Sequence, residues 1–260
     1  MQRMLCGVLL VLVGHVQALD WQDSPAVSRA FAQAGATGTF VLHEVGSDRL
    51  QGHNRRRAAT RYSPASTFKI ANSLIGLATG AVASVDDVFP YDGQPQFLKS
   101  WERDMGLREA IRVSNLSVYQ MLARRIGLPR MRRQVAALGY GNGEVGTVID
   151  RFWLDGPLAI SAVEQAEFLA RLSQDRLPLA PAIQAKVREI SLLEQGPGWR
   201  LYGKTGWATS VEPAIGWWVG WLEQDGKGYS FALNMDIHGP AELPRRMALG
   251  KASLRALGLL

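Results

Sequence analysis

The sequence predicts an α+β fold with one antiparallel sheet built from both chain ends, flanked by helices, and an all-helical subdomain inserted between them. Two alternating segments near the N-terminus, residues 37–45 and 49–53, are joined through Gly and Asp, as in a pair of strands. The middle of the chain has apolar residues at helical spacing. Beyond Arg200 the strand pattern returns. The expected boundaries are 19–63 and 197–260 for the sheet subdomain and 64–196 for the helical subdomain.

The first eighteen residues form a separate unit. Arg3 precedes an apolar run, and Val16-Gln17-Ala18 has the small residues of a cleavage site. The run of about 10 residues is shorter than the roughly 20 that span a bilayer. The sequence therefore predicts a secretory signal peptide over residues 1–18 and a mature chain over 19–260. An uncleaved anchor or a buried helix is the alternative.

Composition limits the other function classes. The chain has 260 residues, of which 47% are hydrophobic, enough for one large domain or two interwoven subdomains. Its single cysteine, Cys6, lies in the predicted signal peptide, so the mature chain would have no disulfide and no thiol nucleophile. The net charge is +6, and arginines cluster at 55–57, 124–125 and 130–133. They are not interleaved with aromatic residues, so we expect a surface that attracts small anions and no nucleic-acid partner.

The elements follow in order from propensity and capping signals. Pro64 opens a helix that Gly80 stops, and Ser161 with Glu164 forms a capping box before another helix. Residues 81–100 are rich in loop formers. Further helices are expected at 109–111, 118–126, 129–138, 181–193 and 243–257, and further strands at 201–205, 214–222 and 229–237, with a turn at Asp225-Gly226.

Ser66 and Lys69 carry the first chemical signal. A hydroxyl and an amine three residues apart share one face of a helix, and a serine needs a base to become a nucleophile. The spacing alone is weak evidence, because a Ser-x-x-Lys occurs about once by chance in a chain of this length.

The tripeptide Lys204-Thr205-Gly206 is the second signal. On a strand edge it offers an ammonium group, a hydroxyl and a backbone that a ligand can approach closely. Alone it could equally be a solvated lysine beside a tight bend. Ser-x-x-Lys followed by Lys-Thr-Gly, however, is the motif pair of penicillin-recognising serine enzymes. Ser114-Asn115-Leu116, at a helix start, fits the polar third part of such a site, although a simple N-cap would look the same.

Other chemistries have little support. Gly141, Gly143 and Gly146 match a dinucleotide-binding fingerprint but follow a helix rather than a strand. The four histidines lack paired ligand spacing, so we expect no metal, and no Gly-x-Ser-x-Gly elbow is present for a Ser-His-Asp site.

The chain resembles the class D (oxacillinase-type) serine β-lactamases over essentially the whole mature sequence. Six motifs occur in the family's order: Ser66-Thr67-Phe68-Lys69, Ser114-Asn115-Leu116, Tyr140-Gly141-Asn142, Phe152-Trp153-Leu154-x-Gly156, Lys204-Thr205-Gly206 and Gly216-Trp217-Trp218-Val219-Gly220-Trp221. One departure is Leu116, where the family usually has valine. Serine is retained, so the chemistry should survive while the wall above the lysine changes shape.

The resemblance implies the catalytic roles. Ser66 would open the lactam ring as an acyl-enzyme, and Lys69 would be carboxylated by CO2 and act as general base. Trp153 would hold the carbamate through its indole N–H, and Ser114 would relay a proton toward the lactam nitrogen near Lys204. No cofactor other than this CO2-derived group is expected.

The resemblance also implies the substrate contacts. The backbone N–H groups of Ser66 and Trp207 would form the oxyanion hole, with Gly206 beside it. Thr205 and Arg246 would bind the substrate carboxylate. The apolar cover that controls water would be formed by Leu116 and Leu154.

These roles predict a periplasmic β-lactamase whose partners are small β-lactam substrates, without stable membrane association and with the oligomeric state left open. A cell-wall transpeptidase or carboxypeptidase uses the same serine and lysines but would keep a β-lactam as a stable acyl-enzyme. A β-lactam sensor domain is a further alternative; such domains follow transmembrane segments, and the sequence shows none.

Overall fold

The computed structural model describes residues 20–260, so the predicted signal peptide over 1–18 lies outside the described residues. In this range a seven-stranded sheet has the order β1-β3-β2-β7-β6-β5-β4. The strands are β1 (Asp20–Asp23), β2 (Gly38–Glu44), β3 (Arg49–His53), β4 (Leu192–Gly196), β5 (Trp199–Ala208), β6 (Ala214–Gln224) and β7 (Lys227–Ile237). Because β2 pairs with β7, the two chain ends form one sheet, and the predicted α+β fold class is confirmed.

Helices cover the sheet and fill the middle of the chain. They are α1 (Pro25–Ala34), α2 (Arg55–Ala58), α3 (Lys69–Ala78), α4 (Leu107–Arg112), α5 (Leu116–Ile126), α6 (Leu128–Leu138), α7 (Ala162–Ser173), α8 (Pro181–Ile190) and α9 (Arg245–Ala256), with 3₁₀ turns at Ala65–Phe68, Lys99–Trp101 and Pro240–Glu242. Among residues 20–260, no helix is long and apolar enough to cross a bilayer.

Two edges of the sheet differ from the sequence prediction. The helix expected over 181–193 ends at Ile190, and Leu192–Gly196 is instead the edge strand β4, within the stretch 64–196 expected to be helical. Its first four residues are all exposed, so no alternation of buried and exposed residues marks it as a strand. At the opposite edge, β1 pairs with β3 in parallel, whereas all other pairs are antiparallel.

The sheet separates two apolar cores. One lies between the sheet and the helices of the middle segment and includes Phe68, Leu122 and Trp153. The other packs the opposite face against α1 and α9 through residues such as Phe31 and Trp218. The 3₁₀ turn Ala65–Phe68, which leads into α3, packs against β5, so the start of that helix lies against the sheet.

Candidate active site

Ser66 lies in a tight turn that leads into α3. The turn begins at Ala65, whose φ of 47° is in the left-handed region that L residues rarely occupy. Ala65 N donates to Trp153 O at 2.9 Å, and Thr67 N donates to Pro64 O at 3.1 Å. These bonds hold the strained residue and leave Ser66 half-buried at the helix start.

The amine of Lys69 lies directly beside that hydroxyl. Lys69 Nζ is 2.8 Å from Ser66 Oγ, as the three-residue spacing predicts. The side chain is 1% exposed. Burial, and after it the charge of Lys204, lowers the pKa of Lys69 well below its ordinary value. A lowered pKa increases the fraction of Lys69 that is a neutral amine with a free lone pair.

The strand β5 brings Lys204, Thr205 and Gly206 close to the turn Ala65–Phe68, which carries Ser66 and is called the nucleophile turn below. A Cβ added to Gly206 would lie 3.0 Å from Pro64 O and 3.1 Å from Thr67 Cγ2, so a side chain here would force these neighbours to shift by a few tenths of an ångström. Lys204 is buried, and its Nζ donates to Thr205 O at 3.1 Å. Burial, and after it the charge of Arg246, lowers the pKa of Lys204 to about 7.

Arg246, in the first turn of α9, closes the far end of this strand. Its Nη1 donates to Gly206 O at 2.5 Å and its Nε to Leu243 O at 2.7 Å. Burial lowers the pKa of Arg246 to about 10, which leaves the guanidinium charged at neutral pH. A cavity of about 330 Å³ adjoins Lys204 and Thr205. Lys204 and Arg246 thus place two basic groups beside Gly206, and their positive charge favours an anionic small molecule there.

Ser114 occupies the turn between α4 and α5. Its φ of 58° is left-handed, and it is half-buried. The N-cap of α5 is Asn115, whose side chain accepts from Val118 N at 3.1 Å, so the motif does cap this helix, through Asn115 and not through Ser114. A non-glycine residue held in this region is a feature of functional sites.

Trp153 packs against the nucleophile turn from the loop before α7. It is fully buried, and its ring stacks on Phe68 with centroids 5.6 Å apart. Within residues 20–260 its indole Nε1 is buried without a hydrogen-bond partner. Leu116 and Leu154 are partly buried against the same core. The structure therefore places a buried N–H donor beside Phe68, the residue before Lys69, in the core against which Leu116 and Leu154 pack.

Comparisons with known proteins agree with this geometry. The family model described as the penicillin binding protein transpeptidase domain matches residues 36–253. Beta-lactamase OXA-5 of Pseudomonas aeruginosa is 41% identical over 241 residues, 92% of this chain and 90% of that protein. Beta-lactamase OXA-48 of Klebsiella pneumoniae is 39% identical over 238 residues, 92% of this chain and 90% of that protein.

Solved structures decide the class. The class D β-lactamase FUS-1 (OXA-85) of Fusobacterium nucleatum subsp. polymorphum superposes with a TM-score of 0.88 at 43% identity, covering 91% of this chain and 98% of that one. The class D β-lactamase YbXI from Nostoc gives a TM-score of 0.88 at 42% identity, covering 90% and 99%. The chain belongs to the class D β-lactamases.

Sequence reasoning did not identify two residues that support this class D site. Gln165 on α7 is buried, and its Nε2 donates to Thr67 Oγ1 at 2.8 Å, next to Ser66. The ring of Tyr119 on α5 lies with its centroid 5.2 Å from Lys69 Nζ. Gln165 stands on an otherwise apolar helix face, which is a local signal; nothing near Tyr119 in the sequence marks its contact with Lys69.

The Tyr140-Gly141-Asn142 motif shapes the same region. Tyr140 is buried edge-to-face against Phe68, with centroids 5.5 Å apart. Gly141 has a φ of 56°, and a Cβ there would lie 2.2 Å from Ala159 O. The motif therefore packs behind the nucleophile turn. Within residues 20–260, no group of three or more His, Cys, Asp or Glu could hold a metal ion.

Proposed function

We propose that this class D enzyme hydrolyses the lactam amide of β-lactam antibiotics through an acyl-enzyme on Ser66, and so confers β-lactam resistance. The observation that carries the proposal is the 2.8 Å contact between Ser66 Oγ and the buried Lys69 Nζ. A base at this distance can take the hydroxyl proton as Oγ attacks the lactam carbonyl. The names of the relatives OXA-5 and OXA-48, both β-lactamases, support the same substrate class.

The proposal includes carboxylation of Lys69 by CO2. A neutral amine is required, and the lowered pKa of Lys69 supports it. A carbamate is an anion and needs donors in an apolar pocket, and the unpartnered Trp153 Nε1 fits that need. When present, the carbamate supplies a general base for acylation and for deacylation. No metal or organic cofactor is part of the proposal.

Ser114 and Lys204 are proposed to move the second proton, toward the lactam nitrogen as the C–N bond breaks. The strained backbone of Ser114 supports a functional position for its hydroxyl. A pKa of about 7 lets Lys204 exchange a proton near neutral pH. Ring opening leaves the lactam nitrogen as a protonated amine that stays attached to the acyl group, and water then releases the opened product from Ser66.

The remaining residues are proposed to bind the substrate. Backbone N–H groups of Ser66 and Trp207 would donate to the developing oxyanion, each worth roughly 3–4 kcal/mol. Thr205 and Arg246 would hold the carboxylate that these substrates carry, which a charged guanidinium suits. Leu116 and Leu154 would exclude water from the Lys69 pocket.

Turnover of a chromogenic cephalosporin, with and without added bicarbonate, tests the proposal. We expect many turnovers per enzyme, faster with bicarbonate, and none in Ser66→Ala. A stable adduct on Ser66 without turnover in either condition would overturn hydrolysis. Cleavage of a peptide ending in D-alanyl-D-alanine would then indicate the carboxypeptidase alternative, and its absence a sensor.

Export to the periplasm is a separate proposal. It depends on the apolar run and the Val16-Gln17-Ala18 site of the sequence. Mass spectrometry of the protein from a periplasmic extract should give a chain that starts at Leu19. Recovery of the full-length chain in the cytoplasmic fraction alone would contradict it.

A further inference from the structure

The ring of Tyr119 lies beneath the Lys69 amine in a fixed orientation. Its centroid is 5.2 Å from Lys69 Nζ, and the side chain is fully buried. Ser73 Oγ donates to Lys69 O at 2.8 Å, so the Tyr119 hydroxyl must be the donor in its own 2.8 Å bond to Ser73 Oγ. Asn72 Nδ2 donates to Tyr119 O at 3.2 Å. The ring thus cannot turn away without breaking a bond at its hydroxyl.

The groups around the Lys69 amine differ in which charge they favour. Lys204 on β5 is the charged group facing it, and its positive charge opposes an ammonium on Lys69. The Ser66 hydroxyl, 2.8 Å from Nζ, is neutral, and burial raises the pKa of Tyr119, which keeps the phenol neutral. The face of an aromatic ring is the negative part of its quadrupole, so Tyr119 attracts a cation and repels an anion.

We propose that Tyr119 is a positioning residue that sets the CO2 concentration at which Lys69 becomes carboxylated. This rests on the carboxylation proposed above. In that step the neutral Lys69 amine bonds through Nζ to the carbon of CO2 and releases one proton, which gives a carbamate. A neutral group is thereby replaced by an anion over the same ring. Tyr119 opposes this change, and so keeps the modification reversible and dependent on dissolved CO2.

Fluorination of the ring tests this role, because fluorine weakens the quadrupole with little change in size. Tyr119→Phe, which lacks only the hydroxyl, is the baseline. Phenylalanines with one, two and three ring fluorines then replace it at position 119. Each protein is titrated with ¹³C-labelled bicarbonate at fixed pH, and the carbamate carbon is followed by NMR. We expect the half-saturating bicarbonate to fall stepwise, by about two- to tenfold over the series. The pH midpoint for carboxylation should fall in parallel.

A trifluorinated phenylalanine in place of Phe31, on the opposite face of the sheet, is the matched control and should leave the titration unchanged. A flat series at position 119 in proteins that do carboxylate would overturn the role of Tyr119 and leave the proposed function intact. Absence of the carbamate signal from the wild type at saturating bicarbonate would overturn the carboxylation itself, and this role with it.

Discussion

At the scale of single residues, the site depends on two lysines whose pKa values are lowered. A free lysine is neutral at pH 7 in about one molecule in 2,500. Burial lowers the pKa of both Lys69 and Lys204. A nearby positive charge lowers it further, that of Lys204 for Lys69 and that of Arg246 for Lys204. The same positive surroundings favour an anion, so they prepare the pocket for a carbamate and for a substrate carboxylate.

Replacement of Trp153 by phenylalanine removes the indole N–H but retains an aromatic ring to stack on Phe68, so it tests the N–H group alone. A hydrogen bond to a charged group contributes about 1.5–3 kcal/mol, so Trp153→Phe should need roughly ten- to a hundredfold more bicarbonate for the same turnover. An acyl adduct should accumulate and be visible by mass spectrometry. Trp221→Phe is the control, since that indole is also buried with no partner among residues 20–260 but stacks on Tyr202. Equal losses in both variants would exclude a special role for Trp153.

At the scale of elements, the position of β5 decides the width of the site. The strand is held along its whole length by β6, from Trp199 to Ala208. The strand lies against the nucleophile turn at Gly206, where an added Cβ would come into tight contact with Pro64 O and Thr67. An oxyanion hole made from the backbone N–H groups of Ser66 and Trp207 would have one donor on the nucleophile turn and the other on β5. Gly206 sets the distance between these two elements.

Gly206→Ala should push β5 away from the turn. The methyl group requires a shift of a few tenths of an ångström, and displacements near 1 Å cost about a hundredfold in rate, so we expect kcat for a chromogenic cephalosporin to fall by roughly three- to tenfold. Gly239→Ala is the control, because a Cβ there meets nothing within 4 Å and its φ of −176° suits any residue. Unchanged kcat in Gly206→Ala would show that the strand absorbs the methyl group without widening the site.

The elements also show what sequence could predict. The capping box at Ser161 and the turn at Asp225-Gly226 are each determined by a few adjacent residues, and the sequence predicts both correctly. The helix predicted over 181–193 extends into β4, because an exposed edge strand has no buried face that would distinguish it in the sequence. β1 and α1 were not identified, although Ser24 and Gly35 cap α1.

In the site, the Ser66–Lys69 contact follows from local helix geometry and was predictable. The contacts of Gln165 with Thr67 and of Tyr119 with Lys69 join residues 98 and 50 positions apart. Such contacts depend on how distant helices pack, so a local pattern cannot reveal them.

At the scale of the whole molecule, the sheet and the helical segment share one apolar core. Lys69 and Lys204 are buried basic residues of the fold. A buried charge without a counter-ion destabilises the folded state. Lys204 is 5% exposed and Arg246 is its neighbour, so the residues proposed to bind and protonate the substrate should also weaken the fold.

Lys204→Met should therefore raise the thermal midpoint while abolishing efficient turnover. Lowering the pKa of Lys204 from 10.5 to about 7 means that below pH 7 both folded and unfolded chains hold the proton, and the full cost of the buried charge applies. Between pH 7 and 10.5 only the unfolded chain keeps it, so wild-type stability should rise with pH by an amount on the order of 5 kcal/mol across this window.

The gain in thermal midpoint of Lys204→Met over wild type should thus be larger at pH 6 than at pH 9, as measured by calorimetry. Lys186→Met, at a side chain 61% exposed on α8, is the control and should show no such difference. A gain from Lys204→Met that is the same at both pH values would mean that methionine improves packing and that the buried charge carries no cost. A loss of stability at pH 6 would show that the positive charge of Lys204 is compensated within the folded chain.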